Sequence, residues 1–160
     1  PPPVLARHRF PEDWRILLIT PETSAGAHGR QEVDIFRTHC PVPLNEVREL
    51  CHEVLMRMLP GLVEHDLDLF GSAINRSQCL GFKKVEVAMQ HPIVPALLEA
   101  MVQAGAAGAG LSSFGPTVYA VGDTDMQSVA RAAKEVLGDC GGSVLLTRAR
   151  NSGAAIHGNT

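Results

Sequence analysis

Gly105-Ala106-Ala107-Gly108-Ala109-Gly110-Leu111-Ser112-Ser113-Phe114-Gly115-Pro116-Thr117-Val118-Tyr119-Ala120-Val121 is the stretch on which the reading of the whole chain turns. Two familiar phosphate loops fail here. A Walker A loop needs Gly-Lys-Ser/Thr at the start of a helix, and no lysine lies between Lys84 and Lys134. A Rossmann fingerprint needs a third glycine, but Gly108-Ala109-Gly110 runs into Leu111-Ser112-Ser113. Pro116 and the β-branched run behind it demand a strand rather than a helix. The expected geometry is therefore strand, glycine turn, strand. Two readings stand side by side. Successive glycine amides and the Ser112 and Ser113 hydroxyls can form a nest for phosphate or carboxylate without a cationic side chain. Alternatively, the glycines merely satisfy positive φ in a plain hairpin.

Working outward, Thr124-Asp125-Met126-Gln127 has the form of a capping box. Val129, Ala133, Val136 and Leu137 continue that helix, and Gly138 ends it. Ser143-Val144-Leu145-Leu146-Thr147-Arg148 reads as a closing strand, and residues 151–160 as a mobile tail. Upstream, Pro92 stands where a first helical residue belongs, with Ile93, Leu97, Ala100 and Met101 as its stripe and Gly105 as its stop. A helix fits residues 66–79 with Asp66 as N-cap. Another runs from a cap at Asn45 to Pro60-Gly61. Residues 30–37 make a short helix, and 14–20 a buried strand closed by Pro21. Without the inserted helices the order is β-α-β-β-α-β, so the expected fold is an α+β, ferredoxin-like sandwich. The expected organisation is an irregular arm over residues 1–14, one domain over 15–150, and the tail.

The 160 residues are 45% apolar, enough for one packed core. With 14 Lys+Arg against 17 Asp+Glu and only 4% aromatics, the chain lacks the basic, aromatic-laced surface of a nucleic-acid reader. No apolar run approaches the ~20 residues of a membrane span, and no signal peptide is visible. The four cysteines form no Cys-x-x-Cys pair, which fits a reduced, cytoplasmic location.

Other candidate residues carry two readings each. His28 and Arg30, near Glu32, flank a glycine loop and can meet a substrate carboxylate or phosphate, or simply face water. Lys83 and Lys84, with Gln78 nearby, can anchor pyrophosphate or a carboxylate; otherwise they are solvated lysines beyond a helix end. His39-Cys40 and Cys51-His52 are zinc-type ligands, but Cys51 falls on an apolar stripe that favours a buried thiol. Met56, Met58 and Met101 read as core filling.

Residues 108–119 resemble the third motif of the GHMP kinase superfamily, a glycine loop joining two strands of its C-terminal domain. The Ser112-Ser113-Phe114-Gly115-Pro116-Thr117-Val118-Tyr119 continuation is similar to the β-ribofuranosylaminobenzene 5′-phosphate synthases of methanopterin biosynthesis, a branch of that superfamily. Gly26-Ala27-His28-Gly29-Arg30-Gln31-Glu32, Leu55-Met56-Arg57-Met58-Leu59-Pro60, and Gln78 with Gly81-Phe82-Lys83 agree with it. The resemblance spans about residues 15–150. It implies coupling of phosphoribosyl pyrophosphate to a (hydroxy/amino)benzoate, with release of CO2 and pyrophosphate. It implies phosphate or substrate contacts at Gly108, Ala109, Gly110, Ser112, Ser113, His28, Arg30, Gln78 and Lys83, and identifies no general acid or base. Mg2+ is expected for the complete enzyme and not in this chain alone.

The superfamily's N-terminal half carries a Pro-x-x-x-Gly-Leu-Gly-Ser-Ser loop, and residues 1–104 contain no match. The chain is thus expected to be a C-terminal half, inert alone, with the missing N-terminal GHMP domain as partner and a homodimer as a plausible assembly. Two alternatives remain: the same domain of an ATP-dependent small-molecule kinase, or a non-enzymatic ferredoxin-like binding module.

Overall fold

The computed structural model describes residues 3–23, 26–27 and 29–154. Strand β1 spans Arg15–Pro21. Helices α1 (Arg30–His39) and α2 (Leu44–His52) follow, then a π-helical turn (Glu53–Met58) and α3 (Leu59–Glu64). Next come α4 (Leu67–Ser77), α5 (Gly81–Ala88) and α6 (Ile93–Gln103). Strands β2 (Gly108–Leu111) and β3 (Val118–Gly122), helix α7 (Gln127–Leu137), a 3-10 turn (Gly138–Cys140) and β4 (Gly142–Thr147) complete the chain.

The sheet order is β2-β3-β1-β4, with every neighbouring pair antiparallel. This is the expected α+β, ferredoxin-like plan with extra helices between β1 and β2. Alternation along the strands explains the layers. Leu17 and Ile19 of β1, Val118 and Ala120 of β3, and Ala109 and Leu111 of β2 share one face. They pack with Val94, Leu97 and Met101 of α6 and with Val129, Ala133 and Leu137 of α7. On the other face Val121 joins Trp14, Phe70 and Ile74, with Phe10 and Tyr119 against them. The arm therefore ends inside a core: Trp14 is buried, and the Phe10 ring meets it edge-on at 5.5 Å.

Several local expectations need correction. The helix from residue 44 does not stop at Pro60-Gly61. The π-helical turn shifts its hydrogen bonds, so that the Leu59 N–H donates to Val54 O, and the chain runs on to Glu64. Glu53 is buried inside this turn, where Arg57 Nη1 donates to both its carboxylate oxygens at 3.3 and 3.2 Å. The helix expected over 66–79 ends at Ser77 as α4, but Gly81 just beyond it also starts a further helix, α5, entered at φ +56°. The Thr124 box does not form either; Asp125 Oδ1 instead accepts the Gln127 N–H at 3.1 Å. Asp66 does cap α4, accepting the Leu69 N–H at 2.8 Å. Of the methionines read as core, Met101 is buried but Met56 is exposed, as are Cys40, Cys51 and Cys79. Among the described residues, no helix is long and apolar enough to cross a membrane.

Candidate functional site

The glycines that suggested a phosphate nest are in a fully buried strand. Gly108–Leu111 is β2 itself, in register with β3 from Gly108↔Val121 to Leu111↔Val118. Its free edge is covered by α4. Asn75 Oδ1 accepts the Ala109 N–H at 2.8 Å, and Asn75 Nδ2 donates to Ala107 O at 3.2 Å. One helical turn on, Gln78 Oε1 accepts the Leu111 N–H at 2.9 Å. Residues 75 and 78, three apart on the helix, thus meet amides two apart on the strand. Gly108 is small because the α4 backbone at Gly71 lies directly against it; a Cβ on Gly108 would sit 2.6 Å from Gly71 O. The expected glycine nest at Gly108, Ala109 and Gly110 is therefore corrected: these residues close the fold. Gln78 is corrected in the same way, its amide being spent on Leu111 and on Ile74 O at 3.2 Å.

The turn lies one step further on. Ser112 N–H donates to Thr117 O at 2.9 Å, and Gly115 N–H donates back to Ser112 O at 2.8 Å. Ser113 sits at φ +49°, a left-handed conformation that a residue with a Cβ adopts only at a cost of order 1 kcal/mol. Ser112 and Ser113 are both exposed. The N–H groups of Ser113 and Phe114 have no partner among the described residues. The carbonyls of the same turn are tied back. Lys83 Nζ donates to Ser113 O at 3.2 Å and Leu111 O at 3.4 Å, and Gln90 Nε2 donates to Phe114 O at 3.0 Å. Lys83 is itself ion-paired with the buried Glu86. With carbonyls held inward, the turn exposes the Ser112 and Ser113 side chains, backed by the Lys83 ammonium group.

Neighbouring elements frame this turn. The backbone of Gly26 packs so closely on Phe114 O that a Cβ would overlap it, which sets Gly26 alongside the turn. Phe36 of α1 stacks on Phe82 of α5 at 4.2 Å, and both rings meet Phe114 edge-on at 6.0 and 5.8 Å. Arg30 is exposed at the start of α1, in a shallow cavity with Glu32, Asp34 and Arg37. His28 lies outside the described residues. Lys84 does not face the turn; it pairs with Glu46 at 2.8 Å. The hydrogen bond from Lys84, then that from Gly81 N–H, holds the Glu46 carboxyl below its usual range and ties α5 to α2. Gln90 and Glu86, which complete the support of the turn, carried no motif in the sequence. Their only signal was a four-residue spacing on a helix hidden by Gly81.

Among the described residues, no three His, Cys, Asp or Glu side chains gather into a group that could hold a metal ion. The two Cys-His doublets do not make a zinc site. The described residues around the turn do not fit Mg2+ either, since Glu86 is taken by Lys83.

A family model described as GHMP kinases C terminal matches residues 58–139, just over half of the chain. The chain is 45% identical over 154 residues to a "Beta-ribofuranosylphenol 5'-phosphate synthase" of Methanothermobacter thermautotrophicus, covering 96% of this chain and 46% of that protein. It is 46% identical over 158 residues to the protein of that name from Methanocaldococcus jannaschii, covering 98% and 46%. The chain thus spans about half the length of the curated relatives it matches. Among solved structures, it is similar to homoserine kinase from Cytophaga hutchinsonii, with a TM-score of 0.72 at 20% identity, over 89% of this chain and 44% of that one.

Proposed function

This chain belongs to the GHMP kinase family, whose C-terminal domain it carries, and on that premise we propose that it is the C-terminal half of a phosphoribosyl-transferring synthase. The reaction joins phosphoribosyl pyrophosphate to a hydroxy- or aminobenzoate. The relatives' name contains ribofuranosylphenol, which favours the hydroxybenzoate. The ring carbon that bears the carboxylate attacks ribose C1. The C1–O bond to pyrophosphate breaks and its electron pair leaves with pyrophosphate. The ring–carboxylate bond then breaks, CO2 departs, and the pair returns to the ring, so no oxidant or net proton is required.

The observation that carries this reading is the Ser112–Gly115 turn. Its exposed Ser112 and Ser113 hydroxyls suit phosphate oxygens, and Lys83 and Gln90 preset its carbonyls, so little reorganisation accompanies binding. The stacked Phe36 and Phe82 beside it give a flat apolar surface suited to an aromatic ring. Leu55, Met56 and Val63 are each about 60% exposed along α2–α3, apolar surface for the remaining half of the enzyme to cover. The chain alone is expected to be catalytically inert. ATP-dependent kinase chemistry is the competing reading on this fold.

Titration with inorganic pyrophosphate, followed by amide NMR, tests the turn. Shifts are expected at Ser113 and Phe114. Lys83→Ala, which frees the turn's carbonyls, should weaken binding about tenfold, the worth of one charge-assisted contact. No response at those two amides would rule the turn out as an anion site.

A further inference from the structure

A second feature lies at the opposite end of the sheet. The register of β1 with β4 ends at Ile16↔Thr147, so the next step sets Arg148 across from Arg15. Like charges directly opposed on neighbouring strands are destabilising unless something offsets them. The two arginines line one cavity with Leu146 and Thr147. Arg148 also opens onto a second cavity of about 440 Å³, shared with Arg9, Arg150, Ala149, Asn151 and Glu12. Three arginines and one glutamate line the second cavity, and Arg15 lines the first with Arg148, in a chain whose net charge is −3.

The cavity is built by a lock between two distant segments. Asn151 Oδ1 accepts the Phe10 N–H at 2.9 Å, and its Nδ2 donates to Phe10 O at 3.0 Å. Phe10 is in turn held edge-on by Trp14 and by Phe70 at 5.8 Å. The side chains on this frame are unequally engaged. Glu12 is taken by Arg9 at 2.8 Å, and Asp13 by His65 at 2.9 Å. Arg15 Nη1 is held by the carbonyls of Glu12 and Asp13 at 2.9 and 3.0 Å. Arg150 spends only Nε, on Ser152 Oγ at 3.0 Å. Arg148 has no hydrogen bond or ion pair among the described residues. Among the described residues the terminal nitrogens of Arg148 and Arg150 are therefore unspent, and Glu12 and Asp13 already have partners.

We propose that this cavity is a binding site for a phosphate dianion, either inorganic phosphate or the phosphate of a monoester, held by Arg148 and Arg150 with Arg9 and Arg15 as flanking charge. Planar guanidinium forks match the oxygens of a tetrahedral dianion bidentately, as an ammonium pair would not. The site is separate from the Ser112–Gly115 turn. Thr20, at the far end of β1, meets Thr117 beside that turn at 2.9 Å. The seven residues of β1 set the two sites on the order of 20 Å apart.

The test is a titration of the chain at low ionic strength with inorganic phosphate and, separately, with ribose 5-phosphate, read by backbone and arginine Nε NMR. Saturable shifts are expected at Arg148, Arg150, Asn151 and Ser152. Arg148→Ala with Arg150→Ala should weaken binding at least tenfold, and Arg148→Lys with Arg150→Lys should also weaken it by losing the forks. Equal affinity for both probes supports free phosphate, and tighter binding of ribose 5-phosphate supports a monoester. A response matched by chloride, lysine variants that bind as well as wild type, or shifts confined to Ser113 and Phe114 would overturn the proposal. The two sites report on different residues, so failure at the turn leaves this result readable.

Discussion

Gly71→Ala is expected to destabilise the protein by about 3 kcal/mol or more, seen as a fall in Tm of roughly 10 °C. The new Cβ would run into the backbone of Ala107 and Gly108. Backbone on both sides of the contact cannot swing away as a flexible side chain can, so α4 must lift off β2. That movement would also pull Asn75 and Gln78 from the strand edge. Gly153→Ala is the control: nothing lies near its added Cβ, and its Tm should stay within about a degree of wild type. Thermal denaturation followed by circular dichroism checks both. An unchanged Tm for Gly71→Ala would mean that α4 and β2 are not in backbone contact.

Asn75→Ala is expected to be nearly as severe, about 2–4 kcal/mol. The substitution strands two main-chain groups at once, the Ala109 N–H and Ala107 O, beside a strand with no room for water. Gln78→Ala strands only the Leu111 N–H, and should cost about half as much. Hydrogen exchange separates this cause from a general loosening. The Ala109 amide should lose protection first in the Asn75 variant, and the Leu111 amide first in the Gln78 variant. Uniform loss across β2 and β3 would contradict specific capping of the edge.

These two predictions mark where sequence reading ran out. Gly108-Ala109-Gly110 has poor strand propensity and looked like a turn. Only the approach of α4, set by residues 32 or more positions away, makes it a strand. Helix α5 went unread because Gly81 follows the end of α4, where glycine at positive φ is common, and here it also begins the next helix. Pro60 looked like a break because local rules do not anticipate a π-helical turn before it. What was legible rested on strong local signals: the β-branched run of β3, the Asp66 cap of α4, and Pro92 and Gly105 bracketing α6. Those pieces, in order, were enough for the β-α-β-β-α-β plan.

The candidate site was legible in outline. Ser112, Ser113 and Lys83 do come together, and the aromatic at 114 anchors the turn. The roles within it were not legible. Lys83 faces carbonyl oxygens and Glu86, so it shapes the turn from behind. Gln90 does the same for Phe114 through a contact that no spacing foretells.

The most direct measurement joins this chain to a GHMP N-terminal domain, as the proposal requires, and incubates the joined protein with phosphoribosyl pyrophosphate and carboxyl-labelled 4-hydroxybenzoate. Labelled CO2 should be released in step with pyrophosphate, without ATP, and this chain alone should release none. Consumption of ATP with no CO2 would contradict the synthase reading and return the domain to the kinases.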